Sequence, residues 1–164
     1  MTSILSKQIR QYVIVPALKI ADLWTDAAEI LVYGTGMVES NYEYIMQIGA
    51  PVDGGLGFWQ MEPSDFADLS KWIKFQKTKP LLNNLLAASY YDHLPSDPQT
   101  LVSNMKFACL MCRLHYYRVP YPLPSANDAA GMAEWHKQYY NSALGAADVA
   151  KNTDIFQGII DGHL

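Results

Sequence analysis

DPQTLVSNMKFACLMCRLHYYRVP, residues 97–120, decides how the rest of the chain is read. Asp97-Pro98 is a helix-start signal, Pro120 is a stop, and Leu101, Met105, Ala108, Met111, Cys112 and Tyr116 recur at intervals of three and four. That is the period of a buried helical stripe. The spacing predicts one long helix from Pro98 to just before Pro120, lying at the centre of a helical core.

Working outward, the same punctuation divides the flanking sequence into further helices. Leu5 to Val15 is predicted to close at Pro16, and Ala21 to about Ser40 forms an apolar helix. Ser64 to Phe75 starts with Ser64 as N-cap, and Leu81 to Tyr91 has Pro80 at a first helical position. Beyond the proline-rich loop Val119 to Pro124, helices are expected from about Asn127 to Tyr139 and from Ala146 to Ile160. One stretch breaks the pattern. From Ile45 to Gln60 the chain carries Gly49, Pro51, Gly54, Gly55 and Gly57, a density of turn formers that predicts a small irregular β-hairpin.

Composition bounds the rest. The chain has 164 residues, half of them hydrophobic and 17% charged, enough to bury a core as one domain over 1–164. No repeat, low-complexity tract or linker divides it. Twelve Lys and Arg against sixteen Asp and Glu give a net charge of −4 with no basic block, so nucleic acid is not an expected partner. The longest apolar stretch, Ala27 to Val38, is interrupted by Glu29, Gly34, Thr35 and Gly36 and falls short of the roughly 20 residues of a membrane helix. Membrane insertion is not expected. Tyr12 to Leu18 is divided by Pro16 and is followed by no small-x-small cleavage pattern, so no signal peptide is predicted.

Candidate chemistry begins with Glu39. It ends the apolar helix after Met37 and Val38, where partial desolvation would favour the protonated carboxyl that a general acid requires. Glu39-Ser40-Asn41-Tyr42, followed by Gly54-Gly55-Leu56-Gly57-Phe58-Trp59-Gln60-Met61-Glu62-Pro63, resembles the signature of lytic transglycosylases of the lysozyme-like superfamily. That family reads Glu-Ser with an aromatic three places after the Glu, then Gly-small-x-Gly-x-x-Gln-x-x-Pro. A third motif, Ala-Tyr-Asn-x-Gly, has a partial counterpart in Tyr139-Tyr140-Asn141-Ser142, with Gly145 arriving late. The motif-bearing region is about 21–149, and its wording is most like small virion or lysis proteins of tailed bacteriophages.

The resemblance implies a mainly α, lysozyme-like α+β domain with a β-hairpin lobe beside a cleft. It implies cleavage of the β-1,4 bond between N-acetylmuramic acid and N-acetylglucosamine in bacterial peptidoglycan. Glu39 would protonate the leaving oxygen and then act as base on the muramoyl 6-hydroxyl, closing a 1,6-anhydro ring. No second carboxylate is needed on that route. An inverting hydrolase needs one roughly 6.5–9.5 Å away, and Asp53 is the nearby candidate, although Asp53 before Gly54-Gly55 also reads as a plain turn residue.

Ser40, Tyr42, Gln60, Tyr140 and Asn141 are the expected substrate-binding residues. Tyr42, Tyr44, Phe58 and Trp59 offer either stacking faces for sugars or packing beneath the hairpin, and Glu62 suits a helix start beside Pro63. Two departures from the family pattern stand out: Pro51 replaces a Ser three residues before Gly54, and the insert between Glu39 and Gln60 is long. Altered substrate placement or loss of activity would follow from either. The rival reading is therefore a non-catalytic phage virion component that binds glycan or neighbouring subunits. The expected setting is a phage virion or the host cytoplasm, with delivery to the periplasm or cell wall.

No metal or other cofactor is expected. His93, His115, His136 and His163 lack the spacing of a zinc helix, so the histidines are predicted to form no functional group. Cys109 and Cys112 read as inert core thiols.

Overall fold

A computed structural model describes residues 3–49, 52–76, 80–141 and 146–164. Pro51, Ser142 and Gly145 lie outside the described residues. The molecule is mainly helical. Ser3 caps α1 (Ile4–Ile9), which runs into a π-helical segment (Arg10–Ile14) and then α2 (Val15–Ile20) without a break in direction of the dihedrals. Pro16 therefore does not end the helix. It sits in the first turn of α2, and the wider π turn before it absorbs the missing N–H and the ring's clash with the preceding carbonyls.

The apolar helix starts later than its composition suggests. Ala21 to Thr25 form a turn, with Asp22 left-handed at φ 58°, and the Thr25 hydroxyl caps α3 (Asp26–Glu39) by accepting from the Ala28 amide at 3.0 Å. Asp26 and Glu29 in the first turn face the positive end of its dipole. Then follow α4 (Pro63–Phe75), α5 (Pro80–Ser89), α6 (Thr100–Ser103), α7 (Met105–Tyr117), α8 (Ala129–Tyr139) and α9 (Val149–Ile160). Ser64 is not the cap of α4: Pro63 takes the first helical position, and Glu62 occupies the N-cap without a side-chain bond.

The long central helix is split. Asn104 leaves the helical region at φ −133°, caps α7 by accepting from the Phe107 amide at 2.9 Å, and donates from Nδ2 to the Ser89 carbonyl. What remains, α7, is the core helix: every residue from Phe107 to Tyr116 is buried. Cys109 and Cys112 are buried free thiols within it, and burial pushes both thiols up.

Among the described residues, the glycine-rich segment shows no β-hairpin ladder; it makes two single-residue antiparallel bridges, Met46 with Leu56 and Leu56 with Met61. A ladder needs a run of extended residues on both sides, and here left-handed Gly49 (φ 68°), Gly57 (φ 70°) and Gln60 (φ 49°) interrupt each arm. Gly55 approaches closely instead, since a Cβ there would lie 2.7 Å from the Gln60 carbonyl oxygen. Trp59 anchors the segment, fully buried with Nε1 donating to the Val32 carbonyl at 2.9 Å. Among the described residues, no helix is long and apolar enough to cross a membrane.

Candidate functional site

Five parts of the chain converge on one cleft of about 410 Å³. The end of α3 supplies Glu39, residues 60–62 supply Gln60, Met61 and Glu62, and α4 supplies Asp65. The last turn of α7 and its cap supply His115 and Arg118, and the end of α8 supplies Tyr139, Tyr140 and Asn141.

Glu39 lies where an anion is poorly placed with respect to its helix. The C-terminal end of α3 carries the negative pole of the dipole, and Ser40 caps it by donating its amide to the Gly36 carbonyl. The neighbour that meets the carboxyl is polar, not apolar as the flanking Met37 and Val38 suggest. His136 Nε2 lies 2.7 Å from Glu39 Oε1, with the His136 side chain fully buried and that of Glu39 20% exposed. Tyr44 donates its hydroxyl to the Glu39 carbonyl at 2.7 Å.

The remaining expected residues divide into two groups. Gln60, Tyr140 and Asn141 line the cleft with Glu39. The Gln60 amide nitrogen donates to the Gly57 carbonyl at 2.7 Å, which fixes its side chain against the wall. Tyr140 donates its hydroxyl to the Trp59 carbonyl at 2.6 Å and stacks on Tyr116, tying α8 to the segment that carries Gln60. Burial pushes the Tyr140 hydroxyl well above its ordinary range, so it stays a donor. The Asn141 backbone N–H donates to the His136 carbonyl at 2.9 Å.

Ser40 and Tyr42 are placed differently and do not line the cleft. Ser40 is buried; its hydroxyl donates to the Phe58 carbonyl at 2.7 Å and accepts from the Tyr42 amide at 3.1 Å. Tyr42 is buried too, donating to the Tyr33 carbonyl at 2.9 Å, with its ring edge-on to Phe58 and Trp59. Both hold the wall from behind. Asp53 is exposed in a turn and is not part of the cleft. The carboxylates that share the cleft with Glu39 are Glu62 and Asp65.

Two histidines belong to the site, contrary to the expectation drawn from metal spacing. His136 pairs with Glu39, and His115 contacts the Tyr139 carbonyl through Nε2 at 2.8 Å. Burial, and after it the Arg118 guanidinium, push the His115 imidazole below its ordinary range. Arg118 is held by Asp68 at 2.6 Å. A usable signal for His136 was its place four residues before Tyr140 on one helical face. Among the described residues, no group of three or more His, Cys, Asp or Glu side chains is placed to hold a metal ion. Comparison of the chain with protein-family models, with curated proteins and with solved structures finds no match in any of the three.

Proposed function

We propose that the cleft cleaves peptidoglycan glycan strands at the β-1,4 bond between N-acetylmuramic acid and N-acetylglucosamine, with Glu39 as general acid and then base. One observation carries the reading: Glu39, Gln60, Tyr140 and Asn141, from three separate sequence motifs, line a single cleft. The chemistry asks for a partly buried carboxyl that faces a groove and is held in one orientation. Glu39 meets that description. The amides of Gln60 and Asn141 suit the acetamido and hydroxyl groups of the sugars. In this reading the fold is lysozyme-like, with the bridged segment 40–62 in place of a hairpin lobe, and the setting is a tailed-phage virion or a lysing host.

Hydrolysis is the second reading, favoured by Asp65 and Glu62 on the same cleft. An inverting hydrolase would use one of them to activate water. Incubation of the purified protein with peptidoglycan, followed by mass spectrometry of the muropeptide ends, separates the two. Anhydro ends are expected; reducing ends select the hydrolase, and no products leave a non-catalytic glycan- or subunit-binding protein. Glu39→Gln should keep the fold and lower turnover by at least about a hundredfold. Near-normal release of muropeptides by that variant would remove Glu39 from the mechanism.

A further inference from the structure

The proposed reaction makes no use of the side-chain contact that Glu39 makes with His136. His136 Nε2 sits 2.7 Å from Glu39 Oε1. Its other ring nitrogen, Nδ1, is sealed from solvent and has no hydrogen-bond partner among the described residues. The ring is held in place: it stacks on Tyr140 with centroids 5.8 Å apart and planes 24° apart, and Tyr140 is pinned to the Trp59 carbonyl.

A neutral imidazole carries one hydrogen and one bare lone pair on its two nitrogens. A hydrogen on Nδ1 would bury an N–H without an acceptor, which is rarer and more costly than a bare acceptor. It would also turn the Nε2 lone pair toward Oε1, a contact that holds only while Oε1 itself bears a proton. A single hydrogen on Nε2 has neither fault, because it donates to Oε1 whether Glu39 is ionised or neutral. A carboxyl that serves first as acid and then as base passes through both states.

We infer that His136 is a positioning residue for Glu39: fixed in its Nε2–H form, it occupies Oε1 throughout and confines the exchangeable proton to Oε2, the oxygen left to the cleft. Resting on the proposed reaction, the cycle balances on that one atom. Oε2–H gives its proton to the glycosidic oxygen as the bond from that oxygen to C1 breaks. The Oε2 carboxylate then takes the proton of the muramoyl 6-hydroxyl as its oxygen bonds to C1. Oε2 ends protonated as it began, and His136 neither gives nor takes a proton.

The tautomer is open to test without any activity. In protein labelled with ¹⁵N in the histidine rings, long-range proton–nitrogen correlation spectra should show a protonated Nε2 and a bare Nδ1 for His136, assigned by their loss in His136→Gln. A protonated Nδ1 overturns the inference. Kinetically, His136→Phe should lower kcat ten- to a hundredfold, the effect of one lost hydrogen bond to a charged group, with KM within about twofold. His136→Gln, which returns an amide donor near the Nε2 position, should recover kcat to within about threefold of the wild type. Equal losses in the two variants at unchanged melting temperature also overturn it. Where His136→Phe fails to fold, the wild-type spectrum still decides. If the wild type releases no muropeptides, the reaction reading fails while the spectrum continues to judge the tautomer.

Discussion

Helix α7 and the segment 40–62 meet at Gly57, where a Cβ would lie 3.5 Å from the Ala108 Cβ, yet different forces hold them. Along α7, ten consecutive residues from Phe107 to Tyr116 are buried, so its place follows from apolar area removed from water. The segment 40–62 exposes Ile45, Met46, Ile48 and Val52 at its tip and has no strand ladder among the described residues. Four buried side chains, Tyr42, Leu56, Trp59 and Met61, and a few directional bonds hold it. Those bonds run from Trp59 Nε1 to the Val32 carbonyl, from Tyr42 to the Tyr33 carbonyl and from Ser40 to the Phe58 carbonyl. Burial by area spreads the load over many side chains. Single bonds do not, so the wall that carries Gln60 is the part where a small change alters geometry before it alters the fold.

The contrast is broken most directly in α7. Phe107 is fully buried, edge-on to Phe66 and Tyr91, and links α4 and the chain just beyond α5 to the core helix. Phe107→Ala should cost about 3–5 kcal/mol, as large-to-small core substitutions do, read as a lower denaturant midpoint at unchanged slope. A loss below about 1 kcal/mol would mean that α7 is not the element on which packing depends.

The next effect is smaller and local. At Gly57 the backbone has φ 70°, and a Cβ would lie 2.5 Å from the Leu101 carbonyl oxygen, which is backbone and cannot rotate away. Gly57→Ala should cost about 1–3 kcal/mol, the usual range for overpacking, and should shift Gln60, whose amide nitrogen rests on the Gly57 carbonyl. Helical circular dichroism should be kept while muropeptide release falls. Ser40→Ala comes third. It strips the Phe58 carbonyl of a donor and the Tyr42 amide of an acceptor, an expected loss of about 1–2 kcal/mol. Were Ser40 a substrate ligand instead, the change would raise KM with no change in melting temperature.

The same difference in forces explains what the sequence discloses. The stripe through Leu101 to Tyr116 is local and periodic, so the core helix is legible; the break at Asn104 is not, because it rests on a bond to Ser89 that periodicity does not contain. Pro16 carries a stop signal that a π turn overrides. Of the motif residues, Glu39, Gln60, Tyr140 and Asn141 come together at the cleft. His136, His115 and Arg118 are not legible in the sequence, since their role depends on which helix ends meet, and a search for metal spacing passes over a histidine whose partner is a distant carboxyl. Ser40 and Tyr42 show the converse. A motif position identifies a residue that the wall needs without saying which side of the wall it faces.

The smallest expected effect probes the exposed tip. Asp53 lies in an exposed turn outside the cleft, and the cleft has its own carboxylates in Glu62 and Asp65. Asp53→Asn keeps the turn chemistry and removes only the charge. Stability should stay within about 0.5 kcal/mol, as for surface changes away from special features, and the muropeptide products should be unchanged in amount and in kind. Asp65→Asn and Glu62→Gln are the informative companions: loss of reducing ends in either would identify the water-activating base of a hydrolase. If Asp53→Asn instead abolishes cleavage at an unchanged melting temperature, Asp53 acts on the bound glycan as the second carboxylate, and the carboxylates of the cleft are not the ones the reaction uses.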